Sequence, residues 1–376
     1  VKQDIRVILS SDDHLSNKNP KFRMDSKGVS ELLVRQHKLS QFIADKLKTD
    51  FDLYINGGDL TDYANLDPVT STITNKYIKN IIDTGKPCIF LEGNHCISDT
   101  KNAFTVLGAI SSLTDCSNVR FVFQDEILKL DKNFNFTDSD EDSVLVVYCF
   151  PYFSDLKALA KRIELASSST DKSKFNLMIF HFPCSNAFLD NGMTATRGLE
   201  LSEAITEGFD LCLGGDYHKH QKLINNSKSF YIGAPFDLKH GEHYDRHILS
   251  ARLNTKSKKY SIDKIPNPHL LPIVDLTCSE ALSMSREEAL NNIVRIKDEV
   301  DTQNKIKLES MGFHKLSIVN YKPPKNNIVK TIDNVRVIKS SFSSSDRDLL
   351  REYIANKYET ENEVNEVVDF FERNRL

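Results

Sequence analysis

The sequence predicts an α/β protein, on three observations. Short apolar runs rich in branched and aromatic residues recur along the first two thirds of the chain, each breaks off in polar residues, and stretches of helical period lie between them. A strand covered on both faces is apolar throughout, and one that halts at glycine, aspartate or histidine feeds a loop.

Taken in order, the strand candidates are IRVILSSDDH, FDLYINGGD, PCIFLEGNH, SVLVVYCFP, FNLMIFHFP and FDLCLGGDYH. After the first, SELLVRQHKLSQFIADKLK spaces Leu32, Leu33, His37, Leu39, Phe42, Ile43 and Leu47 as the buried face of a helix. A second helix, TSTITNKYIKNIIDTG, ends on a glycine stop. DKNFNFTDSDED reads as a hairpin tip, SSSTDKSK as a loop, and NTKSKK as the turn joining HILSARL to YSIDKI.

After IPNPHLLP the character changes: one helix over SREEALNNIVRIKDEVDT, strand-like KLSIVNY and NVRVIKS, and two closing helices from about Ser344. The expected boundary lies near Asn267, giving a main domain over 1–266, a smaller α+β domain over 267–340 and terminal helices over 341–376. In the last of these, Leu349, Leu350, Tyr353, Ile354, Val364, Val367, Val368 and Phe371 fall at helical spacing, as in a packed hairpin or a partner-docking face.

A chain of 376 residues, 40% hydrophobic, is long enough for one sizeable core and a second, smaller one. Forty-nine basic against fifty-three acidic residues give a net charge of -4, so no overall positive field recruits an anionic polymer, and any nucleic-acid binding must be local. The seven cysteines are scattered and never spaced as CxxC, which argues against structural zinc or a disulfide framework and suits reduced thiols in a cytoplasmic protein. No apolar stretch reaches the roughly 18 residues of a membrane span, and the N-terminus carries no signal-peptide pattern, so a soluble, unexported protein without a membrane partner is expected.

In α/β sheets ligands bind beyond the carboxyl ends of the strands. There the chain places Asp12 and His14, then Asp59, then Asn94 and His95, then His181, then Asp216 and His218. Singly, each has an ordinary explanation as a helix cap, a turn residue or a core histidine. Five strand ends carrying oxygen or imidazole donors, with Gly58, Gly93 and Gly215 preceding three of them, are hard to explain by capping, because glycine lets the backbone turn and the donors crowd. Acids packed among imidazoles need neutralising cations, and two divalent ions about 3.5–4 Å apart with one bridging carboxylate would serve, Asp59 being the natural bridge. Carboxylate, amide and imidazole without thiolate suit manganese, magnesium or iron. Cys96 reads as packing.

DDH as DxH, GGD, GNH, FHF and GDYH resemble the ordered motifs of the calcineurin-like metallophosphoesterases over roughly Ile5 to Leu253. Within that superfamily the chain is similar to the SbcD-type nucleases, including phage recombination nucleases, through YCFPYFSD and FYIGAPFDLKHGE. The protein-phosphatase branch wants GDxxDRG, and here GDLTDYA stands. The resemblance implies a two-sheet α/β/β/α sandwich with a smaller α+β C-terminal capping domain that touches DNA through lysines such as those of YKPPKNN. It implies Asp12, His14, Asp59 and His218 at a first metal, Asp59, Asn94, His181 and Asp216 at a second, most readily Mn2+ with Mg2+ as the alternative, and His95 contacting phosphate or protonating the leaving oxygen. Asp216 stands where the family has histidine. His220 could supply an imidazole instead. Asp62, where such nucleases often carry histidine, joins His95 as a candidate catalytic residue with its role open.

Three functions follow. The first is a metal-dependent DNA nuclease, by resemblance a homodimer partnered by an SMC-like ATPase in a bacterial or phage-infected cytoplasm, with exonuclease action on duplex ends and endonuclease action on single strands in recombination or repair. The second is a phosphoesterase for small nucleotides or other diesters. The third is a metal-free scaffold of the same fold, against which the intact Asn94 and His95 speak.

Overall fold

The computed structural model describes residues 4–97, 105–112, 114–189, 192–242 and 245–321. In chain order it builds β1 (Asp4–Ser10), α1 (Glu31–Thr49), β2 (Leu53–Asn56), α2 (Pro68–Ile82), β3 (Cys88–Leu91), α3 (Val106–Ser111), β4 (Val119–Val122), β5 (Glu126–Asp131), β6 (Ser143–Phe150), α4 (Leu156–Ser168), β7 (Phe175–His181) and β8 (Leu211–Gly215). There follow β9 (Gln221–Lys222), β10 (Ser229–Tyr231), β11 (His247–Asn254) and β12 (Tyr260–Pro266). The last described stretch holds β13 (Ile273–Leu276), α5 (Cys278–Ser283), α6 (Arg286–Leu290), β14 (Ile293–Val300), α7 (Thr302–Ser310) and β15 (Lys315–Tyr321).

Two six-stranded sheets run in the orders β12-β11-β1-β2-β3-β4 and β5-β6-β7-β8-β10-β9. The strands β1 to β4 are parallel, as are β6, β7, β8 and β10, so their carboxyl ends open on one edge of each sheet. Period-two alternation explains the layering. Ile5, Val7 and Leu9 of β1 join Leu145, Val147, Leu177 and Ile179 in a core between the sheets. Ile8 faces the other way, onto the helix layer of α1 and α2. On the far side Tyr148, Met178 and Phe180 pack under Leu159 and Ile163 of α4. Both sheets are covered on both faces, the four-layer α/β/β/α sandwich that continuously apolar strands require. Asp67 fixes the start of α2 by accepting from the Val69 and Thr70 N–H groups, both at 3.0 Å, ahead of Pro68.

The hairpin tip between β5 and β6, the loop before β7 and the turn between β11 and β12 stand where the sequence predicts them. The single helix expected over SREEALNNIVRIKDEVDT does not form. Ser285 and Glu288 make a capping box for the short α6, the helix ends at Asn291, and Ile293–Val300 becomes β14. The reason is tertiary: β14 is the centre of a third, all-parallel sheet, β13-β14-β15, and Val294, Ile296 and Val300 bury in its own core. KLSIVNY is β15, as expected. NVRVIKS, the closing helices and all but the first residue of YKPPKNN lie outside the described residues. All seven cysteines are free thiols, and among the described residues no helix is long and apolar enough to cross a membrane.

Candidate metal centre

The loops leaving β1 and β2 run side by side. Asp12 N donates to Gly58 O (3.0 Å), His14 N to Asp59 O (3.0 Å) and Leu15 N to Leu60 O (2.9 Å). This ladder holds Asp12, His14 and Asp59 with φ of 55°, 46° and 49°, and Asp216 on the β8 loop has φ of 104°. Left-handed backbone at four non-glycine residues turns the side chains inward. The crowding requires glycine at two points: a Cβ at Gly58 would overlap the His181 ring, and one at Gly93 would overlap Asp59 Oδ1.

Three donor sets result, Asp12 with His14 and His218, His14 with Asp59 and His95, and Asp12 with Asp59 and His181, the ligand atoms of each lying within 4.8 Å of one another. Asp59 joins them. Its Oδ2 stands 3.8 Å from His14 Nε2 and 3.3 Å from His181 Nε2, while Oδ1 accepts from His95 N at 2.9 Å. Asn94, on a 3₁₀ turn over Asn94–Cys96, brings Oδ1 to 3.2 Å from His181 Nε2.

The second ring nitrogens decide the tautomers. His181 Nδ1 lies 2.7 Å from Gly57 O, and a carbonyl only accepts, so Nδ1 carries a proton and Nε2, facing Asp59, is the nitrogen that would lose its proton to bind a cation. His218 Nδ1 likewise donates to Glu242 Oε1 at 2.8 Å, leaving Nε2 to face His14 Nε2 at 3.2 Å. His14 Nδ1 faces Asp62 Oδ1 at 3.3 Å, at ion-pair range without hydrogen-bond alignment. The Nε2 atoms of His14 and His218 can share one proton in a hydrogen bond or, both deprotonated, face a common cation. Asp12 Oδ2 is buried with no hydrogen-bond partner among the described residues, and its Oδ1 accepts only Asp216 N at 3.0 Å. The donor set therefore fits two divalent cations sharing Asp59.

The field in the pocket is strongly negative. Burial favours a neutral His181, yet Asp59 first and then Asp12 and Asp216 hold it protonated up to about 10. Burial would raise Asp59, but His181, His14 and His95 bring its carboxyl well below the usual range. Asp216 is pushed up to about 6 by burial, with Asp12 and Asp59 adding to it. Its carboxylate belongs to none of the three donor sets. His220 turns away, its Nδ1 donating to Tyr231 O at 2.7 Å and its ring edge-on to His247. Cys96 is fully buried with its Sγ 3.5 Å from Thr61 Oγ1. His95, 42% exposed in its side chain, sits at the lip; its Nδ1 donates to the Asp62 carbonyl at 2.9 Å, which leaves Nε2 open. Asp62 thus touches both His14 and His95.

Three supporting residues escape sequence reasoning. Glu242 holds His218 and is itself held by Arg246 Nη2 (2.8 Å) and Leu238 N (3.1 Å). Asp13 accepts from Asn56 Nδ2 (2.7 Å), Ser10 Oγ (2.9 Å) and Tyr77 OH (3.2 Å) beneath the pocket, and full burial pushes its carboxyl up to about 7. Gln36 of α1 donates to the Asp13 and His14 carbonyls at 2.6 and 3.2 Å. A polar residue on the buried face of a helix and an acid inside HGE were the available signals.

Among known proteins, no curated sequence matches the chain. Solved structures that it is similar to include a dimetal phosphatase from Danio rerio, 9% identical over 70% of this chain and 96% of that one with a TM-score of 0.42. A purple acid phosphatase from yellow lupin (Lupinus luteus) seeds is 13% identical over 72% of this chain and 55% of that one, with a TM-score of 0.39. A conserved protein of Streptococcus pneumoniae described as a predicted phosphoesterase is 9% identical over 72% and 94%, with a TM-score of 0.32. At the level of families, residues 5–220 match the calcineurin-like phosphoesterases. That span takes in every loop converging on Asp59 and more than half of the 376 residues, and the chain belongs to the calcineurin-like phosphoesterase family.

Proposed function

We propose that this chain is a nuclease that hydrolyses phosphodiester bonds of DNA with two divalent cations, Mn2+ or Mg2+, and that it works as a homodimer with an SMC-like ATPase in the cytoplasm. The observation that carries the hydrolytic chemistry is Asp59 Oδ2, placed between His14 Nε2 and His181 Nε2 at 3.8 and 3.3 Å. In this reading Asp12, His14, Asp59 and His218 hold one cation. Asp59, Asn94 and His181 hold the other, with Asp216 at its side. Bound there, the cations supply an activated water and neutralise charge on the phosphate oxygens. The YCFPYFSD and FYIGAPFDLKHGE stretches, together with the sheet appended after β12, favour DNA over a small ester. This appended unit, from about Asn267, is proposed to cap the site.

The chain's own residues do the rest. His95 is held by the Asp62 carbonyl through Nδ1, which leaves Nε2 to contact a phosphate oxygen or donate a proton to the departing oxygen. Gly57 O and Glu242 keep His181 and His218 in the tautomers that leave Nε2 free. An ionised Asp216 would reduce the formal charge of two dications and two carboxylates from +2 to +1, which weakens anion attraction and favours hard ions. Mn2+-dependent cleavage of duplex and single-stranded DNA is compared with that of a chromogenic diester, with Asp59→Asn and His95→Ala as controls. The reading predicts DNA cleavage lost in both variants. Turnover of the small diester alone would instead assign the chain to small substrates.

A further inference from the structure

Three buried side chains join the candidate metal ligand His218 to the appended sheet. His218 Nδ1 meets Glu242 Oε1 at 2.8 Å, Glu242 Oε2 accepts from Arg246 Nη2 at 2.8 Å, and Arg246 Nε donates to Asp237 Oδ1 at 2.6 Å. The other carboxylate oxygen of Asp237 accepts from Ile273 N at 3.2 Å, the amide that opens β13. Glu242, Arg246 and Asp237 are 1%, 4% and 5% exposed, so the whole path is buried.

Further contacts close the joint around it. Arg246 Nη1 donates to His218 O at 3.2 Å, and Arg246 O accepts from Asn267 N at 3.4 Å. Asn267 Nδ2 donates to Pro235 O at 2.8 Å. Phe236 lies in one apolar cluster with Leu271, Ile273 and Ile293. The loop over 234–242, between β10 and β11, therefore meets His218 through Glu242 and the appended sheet through Asp237.

Packing alone does not call for such a network, because apolar side chains of similar volume commonly stabilise a core as well or better. What an apolar core lacks is direction. Arg246 is a planar fork with donors at fixed angles, and Glu242 and Asp237 each give it one oxygen and give the other to a second donor. A displacement at Ile273 N is thus passed to Asp237, Arg246, Glu242 and the His218 ring in turn.

We propose that Asp237 and Arg246 are positioning residues for His218, and that through them docking of the appended sheet is coupled to cation binding. The coupling is reciprocal: a seated sheet tightens cation binding, and a bound cation holds β13 against the loop. This inference rests on the metal-binding reading of His218 given above, whatever the substrate.

The test uses the full chain. Hydrogen exchange of the Ile273 amide is followed by mass spectrometry with backbone fragmentation, without and with saturating Mn2+, and titration calorimetry reads Mn2+ affinity. In the wild type Mn2+ should slow exchange at Ile273 about fivefold or more beyond the slowing of α4 amides, which lie off this path. Glu242→Gln saturated with Mn2+ should lose that extra slowing. Asp237→Asn has one oxygen where Arg246 and Ile273 N each need one, and the charged Arg246 takes it. Exchange at Ile273 should then quicken and Mn2+ affinity fall about fivefold. The two substitutions together should weaken Mn2+ binding by less than the product of their single effects. If Asp237→Asn does not fold, the wild-type exchange decides alone. A wild type that binds Mn2+ with Ile273 slowed no more than α4 overturns the coupling and leaves the metal centre standing. A folded Asp237→Asn protein with wild-type Mn2+ affinity, or single effects that simply multiply, does the same. A wild type that binds no Mn2+ overturns this inference and the two-cation reading together.

Discussion

Replacing Glu242 with glutamine changes one atom and should reprogramme His218. The carboxylate accepts from His218 Nδ1 at 2.8 Å, Arg246 Nη2 at 2.8 Å and Leu238 N at 3.1 Å, and Glu242 is 1% exposed. Glutamine brings one acceptor oxygen and one NH2 donor. The permanently charged Arg246 and the Leu238 N–H claim the oxygen, so the NH2 must face His218 Nδ1. That nitrogen can then only accept. The ring proton moves to Nε2 and removes the lone pair aimed at His14. Loss of such a supporting contact commonly costs about 10–100-fold in metal affinity, or about 1.4–2.8 kcal/mol. Arg246 keeps Asp237 Oδ1 at 2.6 Å, so the fold should survive. Titration calorimetry with Mn2+ reads the affinity, and ¹⁵N spectra of the imidazoles read the tautomer. Wild-type Mn2+ affinity in a folded Glu242→Gln protein would refute the reasoning, as would a weakened affinity with the His218 proton still on Nδ1.

Other outcomes follow from the same geometry. Gly93→Ala drives a Cβ into Asp59 Oδ1 and should cut Mn2+-dependent hydrolysis by about 100-fold or more, measured as kcat/KM on any substrate the wild type turns over. Asp62→Ala removes the carboxylate 3.3 Å from His14 Nδ1 but leaves the carbonyl that holds His95. Metal affinity should therefore fall about tenfold, as titration with Mn2+ would show. His247 is 4% exposed, and burial holds its imidazole down to about 4 from an ordinary value of 6.5. A histidine kept neutral in the fold contributes stability that is fully present above about pH 6.5 and lost as pH falls toward 4, on the order of 2 kcal/mol. Urea midpoints in a chelator should show this decline in the wild type and a flatter one in His247→Phe.

Much of the fold was legible because its strands are covered on both faces, which leaves a continuous apolar run ending where the chain turns. The same punctuation exposed Asp12, His14, Asp59, Asn94, His95, His181 and His218, since a strand end is fixed in space by the sheet that holds it. Glu242 and Asp13 were not legible, because their work is done at a distance in sequence: 24 residues separate Glu242 from His218, and 43 separate Asp13 from Asn56. Asp13 beside Asp12 reads as one more acid until Ser10, Asn56 and Tyr77 are seen to surround it. The stretch from Arg286 failed for a different reason. Its residues suit a helix well enough, and only pairing with β13 on one side and β15 on the other makes Ile293–Val300 a strand.

Those remote contacts explain how the site tolerates its own backbone. A left-handed conformation at a residue with a Cβ costs about 1–3 kcal/mol when it lies outside a favourable turn, and Asp12, His14 and Asp59 all adopt one. Aspartate and histidine both visit that region more readily than most residues, so the strain lies toward the low end of that range. His14 is the best secured of the three: its N–H bonds Asp59 O, its carbonyl accepts from Gln36, and Asp13 beside it is anchored by three side chains. A net hydrogen bond contributes about 0.5–1.5 kcal/mol, comparable to the strain it opposes. The buried polar layer beneath the pocket is therefore required by the geometry above it. An apolar core at Ser10, Asp13, Asn56 and Tyr77 could pack, but it would let the β1 loop relax and swing His14 out of reach of Asp59.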